Sequence, residues 1–110
     1  MIYKVVITPL AKHQLEMYIA YTVNQFKSKQ AARAIRDDAR LTKKELEKVA
    51  GMLALCNDEV LARSGYRRIL FKKHDFFMVY RIDGNNVIVD AMYHELQDYE
   101  SVFAQTMHLK

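Results

Sequence analysis

Cysteine is almost absent from this chain of 110 residues: Cys56 stands alone. No internal disulfide is possible, so a cross-linked scaffold is excluded. Proline and glycine are scarce too, with Pro9 the only proline and three glycines in all. No linker or domain boundary is visible, and one domain over residues 1–110 is expected. No apolar run approaches a membrane span. The opening "MIYKVVITPL" lacks the basic start and long apolar stretch of a signal peptide. Together with the single thiol, this suits a reducing cytoplasm, the expected location. His13, His74, His94 and His108 are scattered without ligand spacing, so no metal site is expected. There is no Gly-rich phosphate loop, nucleophile elbow or paired-carboxylate motif. Standard hydrolase machinery is therefore missing, and no cofactor is expected.

What is present is apolar surface and unevenly placed charge. Hydrophobic residues make up 51% of the chain, enough for a globular core. The formal net charge is +4. Residues 27–48 hold eight basic against four acidic side chains, and residues 63–81 hold six against one. Residues 82–110 hold one against five. Such a field can attract a polyanion or an acidic protein segment, but residues 27–48 read first as a solvated helix face.

The apolar spacing orders the chain. "IYKVVI" is β-branched, alternates, and predicts a strand. Thr8 then suits a helix cap and Pro9 the first helical position. Leu15, Tyr18, Ile19, Thr22 and Phe26 share one face of a helix over about residues 9–26. Ser28 is a second cap. Ile35, Ala39, Thr42, Leu46, Val49 and Leu53 form a seam at steps of 4 and 3, so the two helices should form an antiparallel hairpin. "YRRILFKK", "FFMVYRI" and "VIVDAMYH" follow as strands, the last two joined through the turn "DGNN". Residues after His94 carry weaker helical character. The expected fold is α+β, in the order β-α-α-β-β-β-α, with the helical hairpin on one face of a mainly antiparallel sheet and a short C-terminal helix.

Register sharpens this expectation. Pairing Ile82 with Val87 places Phe76, Met78, Tyr80, Ala91 and Tyr93 on one apolar face. A turn at Lys73-His74 adds Ile69 and Phe71 to it. The opposite face then receives Tyr66, Arg68, Leu70, Phe77, Arg81, Asp90 and Met92, with His94 at its end. Arg81 and Asp90 are diagonal neighbours and can pair. This mixed face is the expected contact surface. His94 would supply an acid or base near neutral pH, and Arg68 and Arg81 would stabilise phosphate charge. Cys56 is expected to be packed rather than reactive.

The residues also resemble a known family. "IYKVVITPLAKHQLEMYIAY" is similar to the start of the RelE/ParE toxins, a strand followed by "T-P-x-A-x-x-x-L". "GYRRILF", "FMVYRIDGNNVIV" and "YHELQDYE" are similar to their C-terminal half. The resemblance covers essentially the whole chain. It implies the toxin of a type II toxin–antitoxin system of the plasmid-stabilisation type. It also implies a cognate antitoxin that wraps the toxin in a hetero-oligomer. ParE-like members inhibit DNA gyrase, whereas RelE-like members cut mRNA on the ribosome. Arg81 in "VYRI" is more typical of the ParE-like branch, and Phe77 stands where RelE-like nucleases usually carry an arginine. "YH" at Tyr93-His94 resembles the end of the YoeB-like nucleases. Gyrase inhibition is therefore the first expectation. An mRNA endonuclease using His94, Arg68 and Arg81 is the alternative. In either case an acidic antitoxin helix is expected over Arg68 and Arg81, resting on Leu70, Phe77 and Met92.

Overall fold

The computed structural model describes residues 2–108. Strand β1 (Lys4–Ile7) leads into helix α1 (Pro9–Phe26) and helix α2 (Lys29–Val49), which ends in a 3₁₀ turn at Ala50–Met52. A short helix α3 (Glu59–Arg63) precedes strands β2 (Arg67–Leu70), β3 (Phe76–Asp83) and β4 (Asn86–His94), and helix α4 (Tyr99–Thr106) follows. The strands lie in the order β1-β4-β3-β2, with β1 parallel to β4 and the other pairs antiparallel. The α+β class, the helical hairpin and the C-terminal helix are as expected. No helix among the described residues is long and apolar enough to cross a membrane.

Local chemistry sets the boundaries. Thr8 Oγ1 accepts the Ala11 N–H at 3.3 Å, and Pro9 opens α1 without wasting a donor. Lys27 ends α1 in the left-handed region at φ 54°, its N–H returning to the Val23 carbonyl. Ser28 Oγ then accepts from Ala31 N–H and starts α2 at once, so the hairpin is tight. Gly84, at φ 63°, occupies the β3–β4 turn, where a side chain would be strained. Helix α3 was not expected. Its N-cap is Asp58, whose Oδ1 accepts from Val60 and Leu61 N–H at 2.9 and 3.1 Å.

One residue changes the faces of the sheet. From the turn to Tyr80↔Val89 the register is the expected one, but the next pair is Val79↔Ala91. Asp90 is thus the extra residue of a β-bulge. Beyond it every β4 side chain is inverted relative to the simple alternation. Met92, expected on the mixed face, joins Met78 and Tyr80 under the α1–α2 hairpin. Ala91 and Tyr93, expected under that hairpin, join Phe77 and Val79 on the other side.

That other side is not open either. Helices α3 and α4 cover it, and Cys56, Leu61, Tyr66, Phe77, Val79, Ala91, Tyr93, Tyr99 and Phe103 form a second core. The sheet is therefore buried between two apolar layers rather than exposing one mixed face. Tyr99 and Phe103, one helical turn apart, supply the cover. Leu96 and Val102, in the same stretch, are exposed at 90% and 51%.

Candidate functional site

The bulge organises the most polar point of the second layer. Asp90 is almost completely buried. Its Oδ2 accepts from Tyr66 Oη–H and from Arg81 Nε–H, both at 2.9 Å. Burial, helped by the bond to Asp90, pushes the Tyr66 phenol up to about 12, so it stays protonated and donating. The carboxylate also raises the Arg81 guanidinium pKa, fixing its charge. The Arg81 side chain remains 40% exposed, and its guanidinium has no other acceptor among the described residues. Arg81 is thus a cation held at one end by a buried pair and open to solvent at the other. The expected Arg81–Asp90 pairing is present, at 2.9 Å.

Arg68 lies further along the same layer. It is exposed, and its guanidinium carbon sits 4.9 Å from the centre of the Phe77 ring and 5.6 Å from that of Tyr99. Stacking on two rings holds the cation flat over the core edge. Leu70, on edge strand β2, is 49% exposed and borders a groove of about 400 Å³ between β2 and residues 53–57. Phe77 and Met92, expected as contact residues, are fully buried. Tyr66 is buried as well and reaches the surface only through Arg81. Of the expected contact face, Arg68, Leu70 and Arg81 are accessible.

His94 lies elsewhere. It pairs with Phe76 and turns toward the α1 side of the sheet, its ring edge-on to Phe76 at 5.2 Å. Its Nδ1 accepts the Leu96 N–H at 3.1 Å, so the neutral ring carries its proton on Nε2. The ring lines an apolar groove of about 660 Å³ with Tyr18, Tyr21, Phe26, Phe76 and Leu96. Gln97 Oε1 closes the end of that groove, accepting from Tyr18 Oη–H and from His94 N–H. Burial raises the Tyr18 phenol pKa. Arg81 pairs with Ile88, five residues along β3 from the partner of His94. At ~3.4 Å per residue that is roughly 17 Å, and the two side chains point to opposite faces. Arg68 is on the Arg81 side. The structure does not bring His94, Arg68 and Arg81 to one point.

The expected sites did not include Asp38. This carboxylate on α2 is 1% exposed and accepts from Lys72 N–H at 3.0 Å, Lys73 N–H at 2.8 Å and His74 Nδ1–H at 2.7 Å. It clamps the β2–β3 turn to the helical hairpin. Burial opposes its charge, but the bonds from His74 and the two amides together hold the carboxyl below its ordinary value. A carboxylate next to the Ile35–Ala39–Thr42 seam was the available signal. Among the described residues, no group of three or more His, Cys, Asp or Glu is placed to hold a metal ion.

A sheet sandwiched between a helical hairpin and a short C-terminal helix, with its cations at the rim of the second layer, is a RelE/ParE-like fold. It is similar to a chromosomal ParDE toxin–antitoxin system from P. aeruginosa, at 20% identity and TM-score 0.69, covering 84% of this chain and 96% of that one. It is also similar to the RelBE2 toxin–antitoxin complex from Mycobacterium tuberculosis, at 16% identity and TM-score 0.56, covering 86% and 99%. No curated protein sequence matches the chain. Residues 5–99 match the family described as the ParE toxin of the type II toxin–antitoxin system, parDE, and the chain belongs to that family.

Proposed function

We propose that this toxin arrests growth by binding and inhibiting DNA gyrase, and that a cognate antitoxin neutralises it. The family match over residues 5–99 supports the ParE-type reading. One geometric observation carries it further: His94 and the two arginines lie on opposite faces of the sheet. An acid–base nuclease needs proton transfer and phosphate stabilisation at the same few ångströms. A binding inhibitor has no such requirement. Arg68 and Arg81, each oriented by its own support, are the side chains we assign to target or antitoxin contact. Leu70, two residues beyond Arg68 on β2, is the accessible apolar contact beside them. Phe77 and Met92 offer the antitoxin no seat, because neither side chain reaches the surface.

Induction in cells tests the reading. The inhibitor should trigger a DNA-damage response while transcripts stay intact, and His94→Ala should stay as toxic as the parent. Cleaved transcripts, together with loss of toxicity in His94→Ala, would instead establish the mRNA endonuclease.

A further inference from the structure

A second charged feature of the molecule lies away from Arg68 and Arg81, on the outer face of α2. Lys29, Arg33, Arg36 and Arg40 recur at steps of 4, 3 and 4 and line a groove of about 610 Å³ between α1 and α2. At 1.5 Å per residue the row is about 16 Å long, with successive cations about 5–6 Å apart. Lys43 and Lys44 continue it. The acidic groups nearby do little to cancel it. Asp38 is turned inward to the β2–β3 hairpin. Glu16 and Asp37 pair with Arg36 and Arg40 at 2.9 and 3.1 Å, but both pairs are well exposed. Such pairs are weak and exchange readily for another anion.

The chemistry of the groove selects among polyanions. An amphipathic acidic helix needs an apolar floor to anchor it. Here Ile19 and Ala32 are already buried, at 3% and 6% exposure, and only Ala20 and Val23 offer accessible apolar surface, too little to seat an apolar helix face. Single-stranded nucleic acid needs stacking platforms, and no aromatic residue lines this groove. A straight row of cations, three of them arginines suited to phosphate, matches a duplex backbone. One DNA strand presents a phosphate about every 3.4 Å of axis while winding around it, so the four cations meet at most about one phosphate each. The acidic residues Glu95, Asp98 and Glu100 lie around α4, on the opposite face of the sheet from the hairpin. They share that side with Arg68 and Arg81, so its charge is mixed, whereas the exposed charge along α2 is mostly basic.

We propose that the outer face of α2 binds the phosphate backbone of duplex DNA without sequence preference. The choice of DNA rests on the gyrase reading, since a toxin that meets gyrase meets it on DNA. The test is fluorescence anisotropy of a labelled random-sequence 20-base-pair duplex, titrated with the intact toxin between 50 and 200 mM salt. Four phosphate contacts give a log–log salt slope of about −3.6 and a loss on the order of 100-fold across that range. Arg33→Gln/Arg40→Gln should flatten the slope by about 2 and weaken binding at least about tenfold at low salt. Lys29→Gln/Arg33→Gln should do the same, with circular dichroism confirming that both variants fold. Undetectable duplex binding, or binding that neither variant changes, overturns the proposal. So does tighter binding of poly-glutamate, which would make the face an acidic-protein site, or of the matching RNA duplex. Gyrase inhibition is assayed separately on the same samples. Duplex binding through this row without gyrase inhibition would sink the gyrase reading alone. Inhibition without duplex binding would sink this inference alone.

Discussion

At Asp90 one extra residue in β4 buries a carboxylate, which meets Arg81 from the adjacent strand β3 and Tyr66 from the loop that leads into β2. Removing the carboxylate leaves a phenol buried without its acceptor and a cation without its anchor. Asp90→Ala should therefore lose about 2–4 kcal/mol of stability, read by urea unfolding, whereas a surface change such as Leu96→Ala should stay within about 0.5 kcal/mol. Asp38 gives a pH-dependent counterpart. Its folded pKa lies below the unfolded value near ~3.9, so its contribution is complete above about pH 5 and is lost as pH falls through the folded value. Thermal unfolding between pH 6 and 3 should show an acid-side decline that is shallower in Asp38→Asn, which should also be less stable at pH 7.

Elements decide what the residues can reach. Helix α4 has only eight residues, yet Phe103 on it is fully buried against Tyr66 and Tyr93. Phe103→Ala should cost about 3–5 kcal/mol. The variant should also bind a hydrophobic dye such as ANS, because the second face of the sheet would open. Equal stability and no dye binding would mean that α4 is a loose appendage. Much of the element order was legible in the sequence. Thr8-Pro9 and Ser28 are strong local caps, and the seam from Ile35 to Val49 marks α2 plainly, although a 3/4 seam alone also suits a dimeric coiled coil. The hairpin at "DGNN" was legible for the same reason, since its turn chemistry and register agree as far as Val89. The bulge was not legible, because a short strand with apolar residues on both faces alternates acceptably in either register. The cover by α3 and α4 was obscured because Phe77, Val79, Arg81 and Asp90 alternate as an exposed antiparallel face would. Nothing local in β3 and β4 signals that five-residue α3 and eight-residue α4 return to bury it. That missed cover is why Phe77 reads as a contact residue, and the missed bulge is why Met92 does.

The whole molecule has two apolar layers, a basic hairpin and an acidic C-terminal side. Its accessible guanidiniums do not converge on a histidine, and this distribution suits recognition of a large charged partner more than chemistry on a small one. Electrostatic steering by such a field should show in kinetics. Association with the antitoxin or the target should slow as salt rises from 50 to 300 mM, while dissociation changes less. Arg68→Ala and Arg81→Ala should each weaken the relevant complex by about 1–3 kcal/mol, measured by calorimetry.

The most direct measurement is a supercoiling assay with purified gyrase, relaxed plasmid and the purified toxin. Inhibition is predicted at stoichiometric toxin, equally for the parent and for His94→Ala, and relieved by the cognate antitoxin. Unimpaired supercoiling, with mRNA cut in a translating extract by the parent and not by His94→Ala, would contradict it.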